Sequence, residues 1–338
     1  MIYRGDAPHP AHQGFAEAVD ADLLSLDQIS IPIDYVQQSI LEEMINGVML
    51  PNYDIYIAEG TRALYGALTN QILRKSILIY LAGDQALYKL MDESYDLDDS
   101  VNRVISNYGM SILKKLFNEY IDGVIAVSDF SAEYTSHVLP EKPMRVAHPY
   151  IQPELFGELG EISPELERNV AITVGAFDSY KGQDLLVKAW ETVRSHHPEA
   201  RLLLVGSGYP ERFRNVSGVR LLGYVDDLPE AISRASLYVQ PSRVDNFPVS
   251  VLEAMRAGLP AVVTNTTGSK SEVMHLGSDF IAEPTAQSLA KSVSRYFSLP
   301  LSDRNLLSKT AREIGSGFDA ISRKKSFRSQ FEALLNEV

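Results

Sequence analysis

Val239-Gln240-Pro241-Ser242-Arg243-Val244-Asp245-Asn246-Phe247-Pro248-Val249-Ser250-Val251-Leu252-Glu253-Ala254-Met255 closes one apolar run and opens a helical pattern. The run ends near Gln240 and reads as a buried strand. Pro248 suits the first turn of a helix, where its missing N–H costs nothing. The free N–H groups of Val249 and Ser250 then point outward as an anion site. Glu253 follows about one turn further in. A carboxylate there can accept two hydrogen bonds from a vicinal diol, as on a ribose. Asp245 stands in the loop before the helix, within reach of other hydroxyls. The plainer reading makes Asp245 a helix cap and Glu253 a surface charge. Ala254-Met255 follow Glu253 in an otherwise apolar helix, which weakens that reading.

The same alternation of short β-like runs and helical patterns extends along the chain, the mark of βαβ units and a parallel sheet. In the first half, strands are predicted at Ala21–Leu26, Asp54–Ala58, Ser76–Leu81, Gly123–Val127 and Met144–Ala147. Helical patterns cover Asp34–Val48, Arg62–Arg74, Val101–Tyr120 and Ser131–Leu139. The second half starts afresh with strands at Val170–Val174, Arg201–Val205, Val219–Leu221, Leu237–Val239, Ala261–Thr264 and Phe280–Ala282. Gln183–His196, Ser250–Ala257, Thr285–Phe297 and Ser302–Gly315 read as its helices. The expected architecture is α/β, with doubly wound domains at 1–150 and 169–318 facing a cleft, joined by a linker at 151–168 rich in Glu, Gly and Pro. Asp319–Asn336 has one apolar face, carrying Phe327, Phe331 and Leu334. In doubly wound sheets ligands bind beyond the carboxyl ends of the strands, so residues that follow strands are the ones to weigh.

Composition narrows the chemistry. The chain has 338 residues, 45% hydrophobic and 22% charged, as expected of a globular protein with ample core. Its longest apolar stretch, Ile77–Ala82, is too short to span a bilayer, and the N-terminus has no signal pattern. It has no cysteine, so thiolate nucleophiles, thiolate metal sites and disulfides are excluded. A cytoplasmic location is expected. The net charge of −13 opposes nucleic-acid binding. Most of that charge lies before residue 151, so a phosphorylated ligand fits the second half better.

Val174-Gly175-Ala176-Phe177-Asp178-Ser179-Tyr180-Lys181-Gly182 again leads from a strand to a helix. Glycine lets a ligand approach the backbone, and a lysine at a helix N-terminus adds a cation for phosphate. Taken alone, the stretch reads equally well as a plain strand-to-helix turn. Gly206-Ser207-Gly208 is part of a dinucleotide fingerprint without its third glycine, and a tight turn explains it as well.

Together these stretches resemble the retaining family-four glycosyltransferases, which have the GT-B fold. The family signature is two acidic residues with seven between them and then an Ala-Met/Leu-x-x-Gly-x-Pro run. Here that reads Asp245, then Glu253-Ala254-Met255-Arg256-Ala257-Gly258-Leu259-Pro260, with Asp where Glu is more usual. Gly175–Gly182 is similar to the family's Gly-Arg-x-x-x-x-Lys-Gly loop. Gly206-Ser207-Gly208, Gly223-Tyr224-Val225 and Thr267-Gly268-Ser269-Lys270-Ser271-Glu272 match further turns in order. The resemblance covers about residues 170–285.

The resemblance implies a hexosyltransferase of glycan biosynthesis. It would move a sugar from a UDP-, GDP- or ADP-sugar to a glycan, lipid-linked or small-molecule acceptor hydroxyl, with retention and with neither metal nor cofactor. It implies that Lys181 and the N–H groups near Val249 and Ser250 hold the donor diphosphate. Glu253 would bind the ribose and Asp245 the donor sugar, with Phe247 in the same donor-side loop. Backbone around Gly206, Tyr224 and Val225 would frame the base. Ala176 stands where the family has a diphosphate-binding Arg, and Arg243 or Lys270 are the candidate substitutes.

The first half matches less closely. Arg4–Gly14 is expected to be a loop between a first short strand and a helix, and it supplies Gly5 and His12 as acceptor-side candidates. Where the family often has a His after the strand ending at Leu81, this chain has Ala82-Gly83-Asp84, making Asp84 the acceptor-side and catalytic carboxylate, or a helix N-cap. Asp96-Leu97-Asp98 has the form of a metal site of the other glycosyltransferase fold, but it lies in an acidic loop far along the chain from the other motifs. Asn107–Asn118, with Lys114 and Lys115, is weighed as a peripheral contact with the cytoplasmic face of a membrane. An ordinary amphipathic helix is preferred, since the acidic first half opposes anionic lipid. Two rival functions share these residues: a GT-B-like sugar-nucleotide epimerase, and a non-catalytic member that only binds a nucleotide sugar.

Overall fold

The computed structural model describes residues 1–3, 10–25, 53–59, 76–83 and 117–338, together with positions 71 and 115. It divides into two compact units, one of Met1–Pro149 with Arg323–Val338 and one of Tyr150–Ser322.

In the first unit six strands, β1 (Ile2–Tyr3), β2 (Leu24–Ser25), β3 (Ile55–Glu59), β4 (Ile77–Ala82), β5 (Gly123–Ala126) and β6 (Met144–Val146), form one parallel sheet. Their order is β2-β1-β3-β4-β5-β6. Leu78 to Ala82 are fully buried in β4, which pairs with β3 on one side and β5 on the other, as suits an unbroken apolar run inside a parallel sheet. Helix α1 spans Pro10–Ala18 and α2 spans Asp129–Val138. A capping box starts α2: the Ser128 hydroxyl accepts from the Ser131 N–H, and Ser131 returns the bond. The expected loop over Arg4–Gly14 is corrected in its second half, because His12 lies inside α1. Pro10 supplies the fixed φ that suits a first helical position, a start signal that outweighs the glycine at 14.

The second unit holds β7 (Val170–Val174), β8 (Arg201–Val205), β9 (Val219–Gly223), β10 (Leu237–Gln240), β11 (Ala261–Thr264) and β12 (Ile281–Ala282), again all parallel. Their order is β9-β8-β7-β10-β11-β12, the 3-2-1-4-5-6 order of a doubly wound dinucleotide-type sheet. The helices are α3 (Pro153–Gly160), α4 (Gln183–His196), α5 (Leu228–Ser233), α6 (Val249–Arg256), α7 (Lys270–Met274), α8 (Ala286–Phe297) and α9 (Leu301–Ser316). Trp190 of α4 is fully buried and meets Phe297 of α8 edge-on at 6.3 Å. The stretch 151–168, expected as a linker, contains α3 and falls within the second unit. Phe156 of α3 lies under the Arg256 guanidinium, 4.3 Å from its ring centre, which ties the segment to α6.

The last helix, α10 (Ala320–Leu335), carries the chain from the second unit back into the first. There Phe327 stacks on Phe15 at 4.2 Å with the rings 5° from parallel, and Leu334 packs over Gly123.

Candidate active site

β7 and β10 are neighbours, but the chain leaves them in opposite directions: β7 leads to β8 on one side and β10 leads to β11 on the other. The two loops therefore meet at the switch point, at the carboxyl ends of the strands, where doubly wound folds bind ligands. Lys181 lies on the first loop, and Asp245 and Arg243 on the second, with Glu253 in the helix that follows it.

The β7 loop is shaped by close backbone contacts. Gly175 has φ +145° and donates its N–H to the Val205 carbonyl at 2.8 Å. Its own carbonyl accepts from the Tyr209 hydroxyl at 3.0 Å. Gly206 sits so close that a Cβ on it would lie 2.2 Å from that carbonyl oxygen. Asp178 caps the short turn Ser179–Lys181 by accepting from the Tyr180 N–H. Gly182 then takes φ +67° to swing the chain into α4. The Lys181 side chain folds back across the turn, with Nζ 3.2 Å from where a Cβ on Gly175 would stand.

The β10 loop rests on a buried polar network. Tyr238 Oη lies 2.8 Å from both Gln240 Oε1 and Ser250 Oγ. The Gln240 amide donates to the Ser242 hydroxyl at 2.9 Å and reaches Asp245 Oδ2 at 3.5 Å. The Asp245 N–H donates to Thr266 O at 3.1 Å, and its carbonyl accepts from the Gly268 N–H at 2.8 Å. These bonds pin the loop to the turn after β11. Burial pushes the Asp245 carboxyl up to about 6, although the nearby Lys181 charge, the Phe247 N–H and the Ser242 hydroxyl pull the other way. Burial alone pushes Glu253 up to about 7. Glu253 is half-buried, and its carboxylate has no hydrogen-bond or ion-pair partner among the described residues. A carboxylate withdrawn from water and left without donors is primed to accept them from a ligand.

The remaining sequence-predicted residues are placed as follows along the chain. Gly206 and the pair Tyr224-Val225 follow β8 and β9, where the Gly206 N–H donates to Gly223 O at 2.8 Å. Tyr224 is 81% exposed, so its ring is open to solvent while its backbone extends the rim. Val249 and Ser250 form the first turn of α6 and are half-exposed. Phe247 is buried against Phe318, 6.0 Å between ring centres, and packs inward. Arg243 is turned onto the opposite loop: its guanidinium meets both Asp184 oxygens at 2.7 Å and the Ser179 carbonyl at 2.6 Å. Gly5 and Asp84 lie outside the described residues, as do Asp96 and Asp98; His12 is placed only by its backbone in α1.

Sequence reasoning passed over Tyr238, Gln240 and Asp184. Tyr238 and Gln240 are two apart on one strand and so share a face, and polar tips in an otherwise apolar strand were the available signal. Asp184 stands three residues after Lys181 in the first helical turn, a position open to many solvated carboxylates.

Residues 168–298 match the family model described as glycosyl transferases group 1. An uncharacterized glycosyltransferase of Haemophilus influenzae is 33% identical over 128 residues, 35% of this chain and 36% of that protein. A phosphatidyl-myo-inositol mannosyltransferase of Propionibacterium freudenreichii is 29% identical over 156 residues, 43% of this chain and 39% of that protein. The matches thus span well under half the length of these relatives. Among solved structures, Anabaena HepE in complex with UDP and glucose superposes with a TM-score of 0.70 over 100% of this chain and 98% of that one, at 16% identity. No helix among the described residues is long and apolar enough to cross a membrane. With its two parallel sheets the chain has the GT-B fold, and its residues 168–298 are similar to the group 1 glycosyl transferases.

Proposed function

We propose that the protein transfers a hexosyl group from a nucleotide sugar to an acceptor hydroxyl, with retention at the anomeric carbon and without a metal ion. The observation that carries this reading is the unpartnered, desolvated Glu253 one helical turn beyond the N–H groups that open α6, with Lys181 on the facing loop. An anion site and a diol-accepting carboxylate at that spacing suit a ribose joined to a diphosphate. Gly206, Tyr224 and Val225 frame the base by their backbone. Asp245 meets the donor sugar. As the sugar–phosphate bond breaks, negative charge grows on the diphosphate, and Lys181 with the N–H groups of Val249 and Ser250 stabilises it. The positive charge a metal would bring is then supplied by the chain. The departing phosphate oxygen takes the acceptor's proton. The acceptor side falls to the first unit, with Gly5, His12 and Asp84 as its candidates, and the acceptor is a glycan, a lipid-linked sugar or a small molecule.

A thermal-shift panel of UDP-, GDP- and ADP-sugars tests the reading. A ligand that binds only the native state raises stability by about 2.7 kcal/mol at a hundredfold excess over its Kd. One nucleotide class is expected to raise the melting temperature, and free nucleoside diphosphate is expected to appear only when sugar is transferred or hydrolysed. Interconversion of two sugar nucleotides without nucleotide release would make the protein an epimerase. Binding without turnover across many acceptors would make it a binding protein.

A further inference from the structure

The two loops at the switch point are locked together by contacts between five residue pairs. The Arg243 N–H donates to Tyr180 O at 2.7 Å, and the Val244 N–H reaches the same oxygen at 3.4 Å. Gly182 presses on Pro241 O. The Arg243 side chain closes the arrangement, donating from Nη1 to Ser179 O and gripping the Asp184 carboxylate with both terminal nitrogens. Asp184 belongs to α4, whose N-terminus follows directly on Lys181 and Gly182. The residues gripped by Arg243, Ser179 and Asp184, therefore bracket Lys181 on either side.

Two parallel charge-assisted bonds fix a planar guanidinium far better than a single contact does. The side chains of the pair are 33% and 38% exposed, so its contribution to stability is small and its effect is on position. Burial alone would raise the Asp184 carboxyl, but the Arg243 bonds and charge hold it below its ordinary value.

We propose that Arg243 and Asp184 are positioning residues that hold the Lys181 turn in place for the donor diphosphate, and that Arg243 acts through Lys181 without touching the diphosphate. This rests on the donor-binding reading above. The alternative is that Arg243 leaves Asp184 on binding and contacts the diphosphate in the place of the residue that Ala176 lacks. The two differ in what Asp184 does. If Arg243 is a direct ligand, removing the Asp184 charge frees it, and binding holds or improves. If the pair is a clamp, removing either charge releases Lys181, and binding falls.

The experiment is calorimetry on the full chain with UDP, GDP and ADP and with uridine, guanosine and adenosine. The ratio of nucleoside to nucleoside-diphosphate Kd isolates the diphosphate site, and the nucleoside Kd itself reports an intact fold. For the base that wild type binds, Asp184→Asn and Arg243→Gln are each expected to cut that ratio about tenfold and leave the nucleoside Kd unchanged. In a Lys181→Ala background neither is expected to cut it further. The swap Asp184→Arg with Arg243→Asp is expected to recover part of the ratio. A ratio in Asp184→Asn equal to or above wild type overturns the clamp, and so does a full tenfold loss from Arg243→Gln in the Lys181→Ala background. A wild type that binds none of the three diphosphates overturns the donor-binding reading itself and the clamp with it.

Discussion

Gly182 and the carbonyl oxygen of Pro241 touch so closely that a Cβ on the glycine would lie 2.0 Å from that oxygen. This contact joins the loop after β7 to the loop after β10, the two sides of the switch point. The oxygen is backbone, on a buried residue that follows buried β10 directly, so it cannot move aside cheaply. Gly182 also has φ +67°, which costs an alanine about 1–2 kcal/mol.

Gly182→Ala is therefore expected to destabilise the second unit by at least about 3 kcal/mol, the steric clash adding to the backbone strain. Gly223 provides the comparison, with φ +73° and nothing within 4 Å of a built Cβ. Gly223→Ala is expected to cost only the strain, about 1–2 kcal/mol. Urea unfolding of the two variants measures the difference, and equal costs would show that the Pro241 contact is not a constraint.

Glu253 makes stability depend on pH. Its carboxyl is raised from 4.5 to about 7 in the folded chain. Below 4.5 it is protonated in both states and costs nothing. As pH rises towards 7 the unfolded chain ionises first, so native stability falls, and above 7 the loss is complete. For a half-buried group this amounts to about 2 kcal/mol. Glu253→Gln is expected to raise the melting temperature by roughly 4–8 °C at pH 8 and to leave it unchanged at pH 4.5. The same variant is expected to weaken nucleotide binding, because one acceptor oxygen replaces two. Calorimetric scans at both pH values, with and without nucleotide, check both effects, and a stabilisation of equal size at both pH values would count against an ionised native Glu253.

Phe327 holds the last helix to the first unit. Its ring is fully buried between Phe15, at 4.2 Å, and Phe331, at 6.2 Å. Phe327→Ala is expected to cost about 3–5 kcal/mol of the first unit's stability. Deleting 327–338 is expected to lower its melting transition further and leave that of the second unit in place. A truncated chain that melts like the full one would refute this role for the helix.

The second sheet could be read from the sequence because its strands are short, mainly apolar runs bounded by glycine or polar residues. Val170–Val174, Arg201–Val205 and Ala261–Thr264 fall where the pattern places them, and so does helix Gln183–His196. Short helices were harder. Pro153–Gly160 carries two glycines that read as loop, and it is helical because Phe156 has Arg256 to pack against, a tertiary fact. Leu228–Ser233 is only six residues long, too short for periodicity to show. At the site, the motif spacing pointed to Lys181, Asp245 and Glu253. It could not show that Arg243 faces Asp184, 59 residues away along the chain, since sequence carries no record of which partner a guanidinium chooses. Nor could it show that Phe247 packs inward on Phe318.

Lys181 also bears on the charge of Asp245, since its ammonium, ahead of the Phe247 N–H and the Ser242 hydroxyl, opposes the upward push of burial on that carboxyl. In Lys181→Ala the Asp245 carboxyl is expected to titrate above about 6, so any step that needs it ionised shifts to higher pH. The pH profile of turnover measures that shift, and an acid limb unmoved by the substitution would separate the two residues.

In the proposed function, the switch point between β7 and β10 holds the diphosphate of a nucleotide sugar, and Lys181 carries the charge that stabilises its departure. The most direct measurement is the rate of sugar transfer by Lys181→Ala at saturating donor, with circular dichroism confirming the fold. Loss of a preorganised stabiliser of developing charge costs on the order of 100- to 1,000-fold in turnover. A loss of that size is expected, with nucleoside binding kept and partial recovery in Lys181→Arg, where charge survives in a different geometry. A folded Lys181→Ala protein that transfers sugar within about threefold of wild type, far short of such a loss, would contradict it.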